Sequence, residues 1–368
     1  MILDISDNQF QKIFSNPNLH LPIRWDNKDF VQTLRKMFHE YYDSVEKELC
    51  ESIWGSTIGI DDYKIKKVCN LLIHVVKQYL NGFPSKAFES FCELMDLLEQ
   101  KPLQTYYKSI MEHFDASNYN DSLNLYRITC VNENIPHDKS RVFHTPYYLR
   151  SKVSTSRYSI AGFPSLYLGT SLELCYEEVH HNPHEQFALA SRFQLERNFE
   201  CNNTEIKVIE LAIKPQDFLV ERNRSDTHRN TRIIPQDALN RLDVREAYLL
   251  WYPLIAACSF IRVNKKDPFA VEYIIPQLLM QWIRSRMRTQ KQKYNQLVGI
   301  RYFSCASVKA SEIGFNYVFP ASGKQTKDSF CPTLSRAFKL TRPYFLHEYS
   351  NIASCEDALR EDNNLEFV

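Results

Sequence analysis

Two runs of this chain gather residue types that could do chemistry. The first, VSTSRYSIAGFPSLYLGTSLELCYEEV (153–179), sets Arg157 directly before Tyr158, carries Tyr167 on a strand-like return, and ends on the adjacent glutamates Glu177 and Glu178. The second, GIRYFSCASVKASEIGFNYVFP (299–320), holds Ser304 after an aromatic strand and Asn316 on the next. Upstream of both, NLYRITC puts Arg127 in a strand-like run where Leu125 and Ile128 favour burial. An arginine so placed needs an anionic partner, because an unpaired buried charge is costly. The partner is either a structural carboxylate or a ligand phosphate gripped by the planar guanidinium fork.

The spacing within the first run narrows these roles. GFP makes a turn that exposes STSRYS, and LYLGTS returns as a strand. On the helical SLELCYEEV, Leu174 and Cys175 face inward, with Glu178 at i+4 and i+3 from them, which puts Glu178 on or beside the buried face. Glu177, at i+3 from Leu174, could also turn in. Ser304 lacks the GxSxG context and the His and Asp partners of a hydrolase nucleophile. Neither GxGxxG nor a P-loop occurs, so the two commonest phosphate cradles are absent. The histidines of HHNPHE (180–185) read as loop residues, and no metal site is expected.

The elements that must position these groups follow from periodicity. From about residue 28 to 116 apolar residues recur at helical spacing: Phe30, Leu34, Phe38 and Tyr41 share a face, a second helix spans 61–80 and closes at NGFPS, and a third spans 85–100 with a stripe through Phe88, Phe91, Leu94, Leu97 and Leu98. LQTYYKSIMEHF adds a further helix. The turn-prone ASNYNDS (116–122) marks a boundary. Beyond it, LNLYRITC, SLYLGTS, EIKVIELAIK, YLLWYPLIAACSF and FNYVFP read as strands, with 172–181 and 272–290 helical. This mixed order predicts an α+β fold, not a doubly wound sheet. The expected organisation is a helical N-terminal domain over 1–120, an α+β domain over 121–349, and a charged tail over 350–368 that frays or stays solvated.

Composition sets the outer limits. The net charge of +1 gives no global drive toward nucleic acid or an anionic membrane, so neither is an expected partner. No segment approaches the ~20 consecutive apolar residues that span a bilayer. Ten scattered cysteines without a CxxC pair suit reduced, buried thiols, and the acidic start MILDISDNQF is unlike a signal peptide. Together these predict a cytoplasmic protein.

Arg127 in YRI, SRYS with LYLG, a glutamate on the following helix, and YFS followed by GFNYVFP resemble, in that order, the RES domain family, named for its arginine, glutamate and serine. The resemblance covers roughly residues 122 to 322 and implies an ADP-ribosyltransferase-like fold of packed, curved sheets around an NAD cleft. It implies an NAD-degrading enzyme, a toxin or defence effector that cleaves the nicotinamide–ribose bond by phosphorolysis or hydrolysis, or one that ADP-ribosylates a macromolecule. A nucleotide-sensing module without catalysis is the rival from another class. NAD is then substrate, with no further cofactor. The implied partners are an inhibitory antitoxin or defence component at the N-terminal helices, and a second copy of the chain. Carried over, Arg127, Glu178 (or Glu177) and Ser304 match the catalytic residues, and Arg127, Arg157, Tyr158, Tyr167 and Ser304 line the NAD site. The chain departs from the family with Thr155-Ser156 in place of two glycines and Ser159 in place of asparagine.

Overall fold

The structure, a computed structural model, describes residues 7–50, 60–100, 104–106, 124–179, 186–196, 206–219, 242–264, 266–289, 297–321 and 330–368. HHNPHE and ASNYNDS lie outside them. Helices α1 (Asp7–Phe14), α2 (Phe30–Cys50), α3 (Ile60–Leu80) and α4 (Pro84–Leu98) open the chain. Strands β1 (Gln104–Tyr106), β2 (Asn124–Val131) and β3 (Ser165–Gly169) lead to α5 (Leu172–Glu178), then β4 (Phe187–Leu195) and β5 (Ile206–Leu211). Next come α6 (Leu242–Ala257), α7 (Ile274–Thr289), β6 (Leu297–Phe303), α8 (Ala310–Ile313) and β7 (Phe315–Pro320). The chain closes with α9 (Pro332–Ala337), β8 (Phe338–Leu340), β9 (Tyr344–Phe345) and α10 (Ile352–Glu361). The architecture is α+β.

The chain divides into two compact units, Met1–Leu103 with Ile213–Trp282, and Gln104–Ala212 with Ile283–Val368. Residues 213–282, expected in the second domain, therefore cluster with the N-terminal helices. In the first unit Phe30, Leu34, Phe38 and Tyr41 are buried, as the spacing predicts. On α4 the buried face is Ala87, Phe91, Leu94, Met95 and Leu98, so the stripe is rotated from the expected one and leaves Phe88 and Leu97 half-buried. NGFPS ends α3 as expected: Gly82 takes φ +83, and the Phe83 and Gly82 amides close back on Gln78 and Tyr79.

Two expectations fail on secondary structure. YLLWYPLIAACSF is helical in α6, not a strand. Every residue from Glu246 to Phe260 is buried, so the run carries no alternation to distinguish the two, and only its length favours a helix. The helix is held by phenols that find acceptors in the core: Tyr41 to the Leu249 carbonyl (2.6 Å), Tyr248 to Ile213 (2.9 Å) and Tyr252 to Leu19 (2.8 Å). LQTYYKSIMEHF begins as strand β1, paired antiparallel with β5. Its remainder after Tyr106 lies outside the described residues.

The second unit is built on one sheet, with nine strands among the described residues, in the order β1-β5-β6-β7-β3-β2-β4-β8 and β9 beside β4. Among the described strands of this sheet, only β5 and β6 run parallel. The packed pair of sheets expected from the resemblance appears instead as two leaves of one hydrogen-bonded path. β2 pairs with β4 along all eight residues, and β3 with β7 along five, yet β2 and β3 meet at the single pair Tyr126↔Gly169. Residues 350–368 are no frayed tail. Cys355 and Leu359, one turn apart on α10, are fully buried against Tyr126, Ile128, Leu172 and Cys175, and Glu366 bridges to Leu340.

Candidate functional site at the opening between two strands

β2 and β3 part immediately beyond the Tyr126↔Gly169 pair, and Arg127 is the next residue. Its Nη1 donates to the Tyr167 carbonyl at 3.3 Å, so a side chain fills a place where a backbone amide would continue the ladder. Its Nε is buried without a hydrogen-bond partner. Among the described residues no carboxylate lies within ion-pair distance of this guanidinium. Burial lowers its pKa to about 10, partly offset by Cys175 and Tyr167, which leaves it cationic near neutrality. Of the two partners the sequence allows, the structural carboxylate is not found among the described residues, and a cation in a half-buried opening is left with donors to spare.

Tyr167 organises the facing wall. Ser156 and Ser159 exchange backbone hydrogen bonds in both directions (3.2 Å each), closing a tight turn around Arg157 and Tyr158. The hydroxyls of both serines bond the Tyr167 phenol at 2.7 Å. The departures from the glycine pattern thus have a structural use, since Ser156 and Ser159 lock the turn to β3. Arg157, Tyr158 and Ser159 are buried. The Tyr158 ring packs on Tyr302 with centroids 4.7 Å apart.

Tyr302 is the residue at which these elements converge, and the sequence reading gave it no role. Burial raises its phenol well above the ordinary range, reinforced by Glu178, Tyr167 and Tyr158 and eased by Arg157. Across the β6–β7 ladder it faces Asn316, whose Nδ2 donates to Glu178 Oε1 at 2.8 Å. The signal available in the sequence was its place on an aromatic strand two residues before Ser304.

The two glutamates separate. Glu178, the last residue of α5, is exposed rather than tucked onto the buried face, and its Oε1 accepts from the buried Asn316. Glu177 is half-buried and pairs with the exposed Lys309 at 3.4 Å. Leu174 and Cys175 are buried as expected, and burial raises the Cys175 thiol to about 12. Gly169 permits the close packing of α5 on the strands: a Cβ there would sit 2.7 Å from Cys175 Sγ and 3.4 Å from Asn316 Oδ1. Of the two glycines in the run, Gly162 (φ +79) serves a turn, whereas Gly169 serves this approach.

Ser304 stands apart. It is fully buried, and its one hydrogen bond is accepted from the Ala306 amide at 3.1 Å, which shapes the turn after β6. No hydrogen bond joins it to Arg127, Arg157, Tyr158, Tyr167 or Glu178. Among the described residues no group of three or more His, Cys, Asp or Glu is set to hold a metal, and no helix is long and apolar enough to cross a membrane.

No family model matches the chain, and no solved structure matches it. The chain is similar to a protein of Bacillus subtilis (strain 168) named "Putative toxin YopC", with 27% identity over 355 residues, covering 94% of this chain and 72% of the relative.

Proposed function

We propose that the protein is an NAD-cleaving enzyme of the RES type that acts as a toxin or defence effector in the cytoplasm. The observation that carries this reading is Arg127, a half-buried cation with a buried, unpartnered Nε at the parting of β2 and β3. A pyrophosphate supplies the paired oxygens such a guanidinium lacks. The Tyr158 and Tyr302 rings offer a wall for the nicotinamide ribose, with Tyr167 locked beside them.

Glu178 then supplies the charge. Breaking the nicotinamide–ribose C–N bond sends the electron pair to the leaving nicotinamide and builds positive charge on the ribose carbon. A carboxylate held by Asn316 stabilises that charge. Water or phosphate forms the new C–O bond and gives up a proton to solvent. Ser304, enclosed just after β6, shapes the turn that follows the strand. The similarity to a protein whose name calls it a toxin supports the effector role.

The test is incubation of purified protein with NAD, with and without phosphate, and product identification by mass spectrometry. Free nicotinamide with ADP-ribose or its 1-phosphate is expected. Transfer of labelled ADP-ribose to a macromolecule would reassign the acceptor, and binding without turnover would overturn catalysis.

A further inference from the structure

The C-terminal helix α10, expected to be a solvated tail, bonds the two elements that carry the charged groups of the candidate site, α5 and β2. Glu356 is mostly enclosed, at 12% side-chain exposure. Its Oε2 accepts the backbone amide of Leu172, the first residue of α5, at 2.7 Å. Its Oε1 takes a 2.6 Å hydrogen bond from Arg360 Nη2, and Arg360 Nε donates to the Tyr126 phenol at 3.0 Å. Tyr126 in turn accepts Cys175 Sγ on its carbonyl at 3.2 Å, forms the one pair between β2 and β3, and precedes Arg127.

The physical need for such a clamp is plain. α5 has seven residues, too few to hold a helix by its own hydrogen bonds, and ends in Glu178. Its first amides have no partner within the helix. Ser171 Oγ satisfies Leu174, and the negative charge of Glu356 satisfies Leu172 while complementing the positive end of the helix. Cys355 and Leu359 seat α10 on Leu172, Cys175, Tyr126 and Ile128, so the polar links are backed by a dry contact.

We propose that α10 is a clamp on the candidate site, with Glu356 a positioning residue that orients Glu178 through α5 and, by way of Arg360 and Tyr126, holds Arg127 at the strand opening. The catalytic part rests on the NAD-cleavage reading; the clamp itself does not.

The experiment has two arms on the full chain. Hydrogen exchange of amides 172–179 reads the clamp, and nicotinamide release reads its consequence. Glu356→Ala removes the cap and is expected to speed exchange across α5 by about tenfold and to lower kcat by about tenfold or more, with KM moved less than about threefold. Glu356→Gln keeps an oxygen acceptor for Leu172 and is expected to recover most of both. Exchange and kcat within about twofold of wild type in a folded Glu356→Ala protein would overturn the proposal. If circular dichroism finds that variant unfolded, Tyr126→Phe, which deletes only the acceptor of Arg360, takes its place. It is expected to speed α5 exchange and lower kcat in the same direction, and an unchanged profile again overturns the clamp. A wild-type protein that releases no nicotinamide would sink the NAD reading alone, while the exchange arm still decides the clamp.

Discussion

Replacing Glu178 by Gln removes one negative charge and almost nothing else. The amide oxygen can still accept from Asn316, now at 2.8 Å, so the side chain keeps its anchor and stability should change by less than about 0.5 kcal/mol. The charge itself is worth more. A unit charge about 4 Å from a developing cation contributes about 4 kcal/mol at an effective dielectric of about 20, and about 1 kcal/mol in bulk water. Glu178 is exposed yet hydrogen-bonded to a buried asparagine, so its environment lies between those limits. Loss of its charge therefore predicts a fall in nicotinamide release of about tenfold to a thousandfold. Glu177→Gln is the internal control, because its charge meets Lys309 at the surface, where such pairs contribute about 0–1 kcal/mol. Turnover of that variant should stay within about twofold of wild type. The assay is single-turnover release of nicotinamide at saturating NAD, with folding checked by circular dichroism. An inactive Glu177→Gln beside an active Glu178→Gln would refute the assignment of the charge to the carboxylate held by Asn316.

Three other outcomes are expected. Tyr167→Phe deletes the two 2.7 Å hydrogen bonds to Ser156 and Ser159, each worth about 0.5–1.5 kcal/mol at the 156–159 turn; an NAD titration should find KM raised more than kcat is lowered, and an unchanged KM would count against the turn lock. Glu210 and Arg301 form a fully buried ion pair across β5 and β6, so Glu210→Gln should destabilise the protein by about 3–5 kcal/mol in urea unfolding, and adding Arg301→Met should recover much of that loss. His144 is fully buried, accepts from the Cys331 amide on Nε2 (2.9 Å) and donates from Nδ1 to the Thr145 carbonyl (2.8 Å); burial, with the nearby Arg127 charge, lowers its pKa from 6.5 to about 4. The unfolded chain therefore takes up a proton that the folded one refuses. This group's stabilisation is whole above pH 6.5 and fades as the pH falls through about 4, a loss of about 3 kcal/mol that His144→Gln should abolish in unfolding curves taken across that window.

Periodicity made the elements legible wherever one face alone is buried. α2, α3 and α4 announce themselves by apolar residues on one side, and β2, β3, β5 and β7 by short aromatic or branched runs between turns. α6 escapes the same test because its described side chains from Glu246 onward are buried all round, so its sequence has no polar face to count from. α10 escapes for the opposite reason: in CEDALRE the charges outnumber the two residues, Cys355 and Leu359, that decide its burial. The site residues were readable as types. Arg127, Tyr158, Tyr167, Glu178 and Asn316 stand out for chemistry, and the serines at 156 and 159 stand out as departures. The parting of β2 from β3 was not readable, because strand pairing is set by partners far away in sequence.

That non-local register is also what aims the arginine. Along β2, Leu125 and Val131 belong to one core cluster, and Tyr126 and Ile128 to the cluster that contains Cys355 and Leu359. Arg127 falls in phase with Leu125, on the side away from α10. A slip of one residue in the eight-residue pairing with β4 would turn Arg127 into the Cys355–Leu359 cluster and bring Tyr126 and Ile128 out of it. Burying a guanidinium among those apolar side chains costs several kcal/mol, far more than any single ladder bond returns. The register that places Arg127 at the parting of β2 and β3 and the register that seats the C-terminal helix are therefore one and the same.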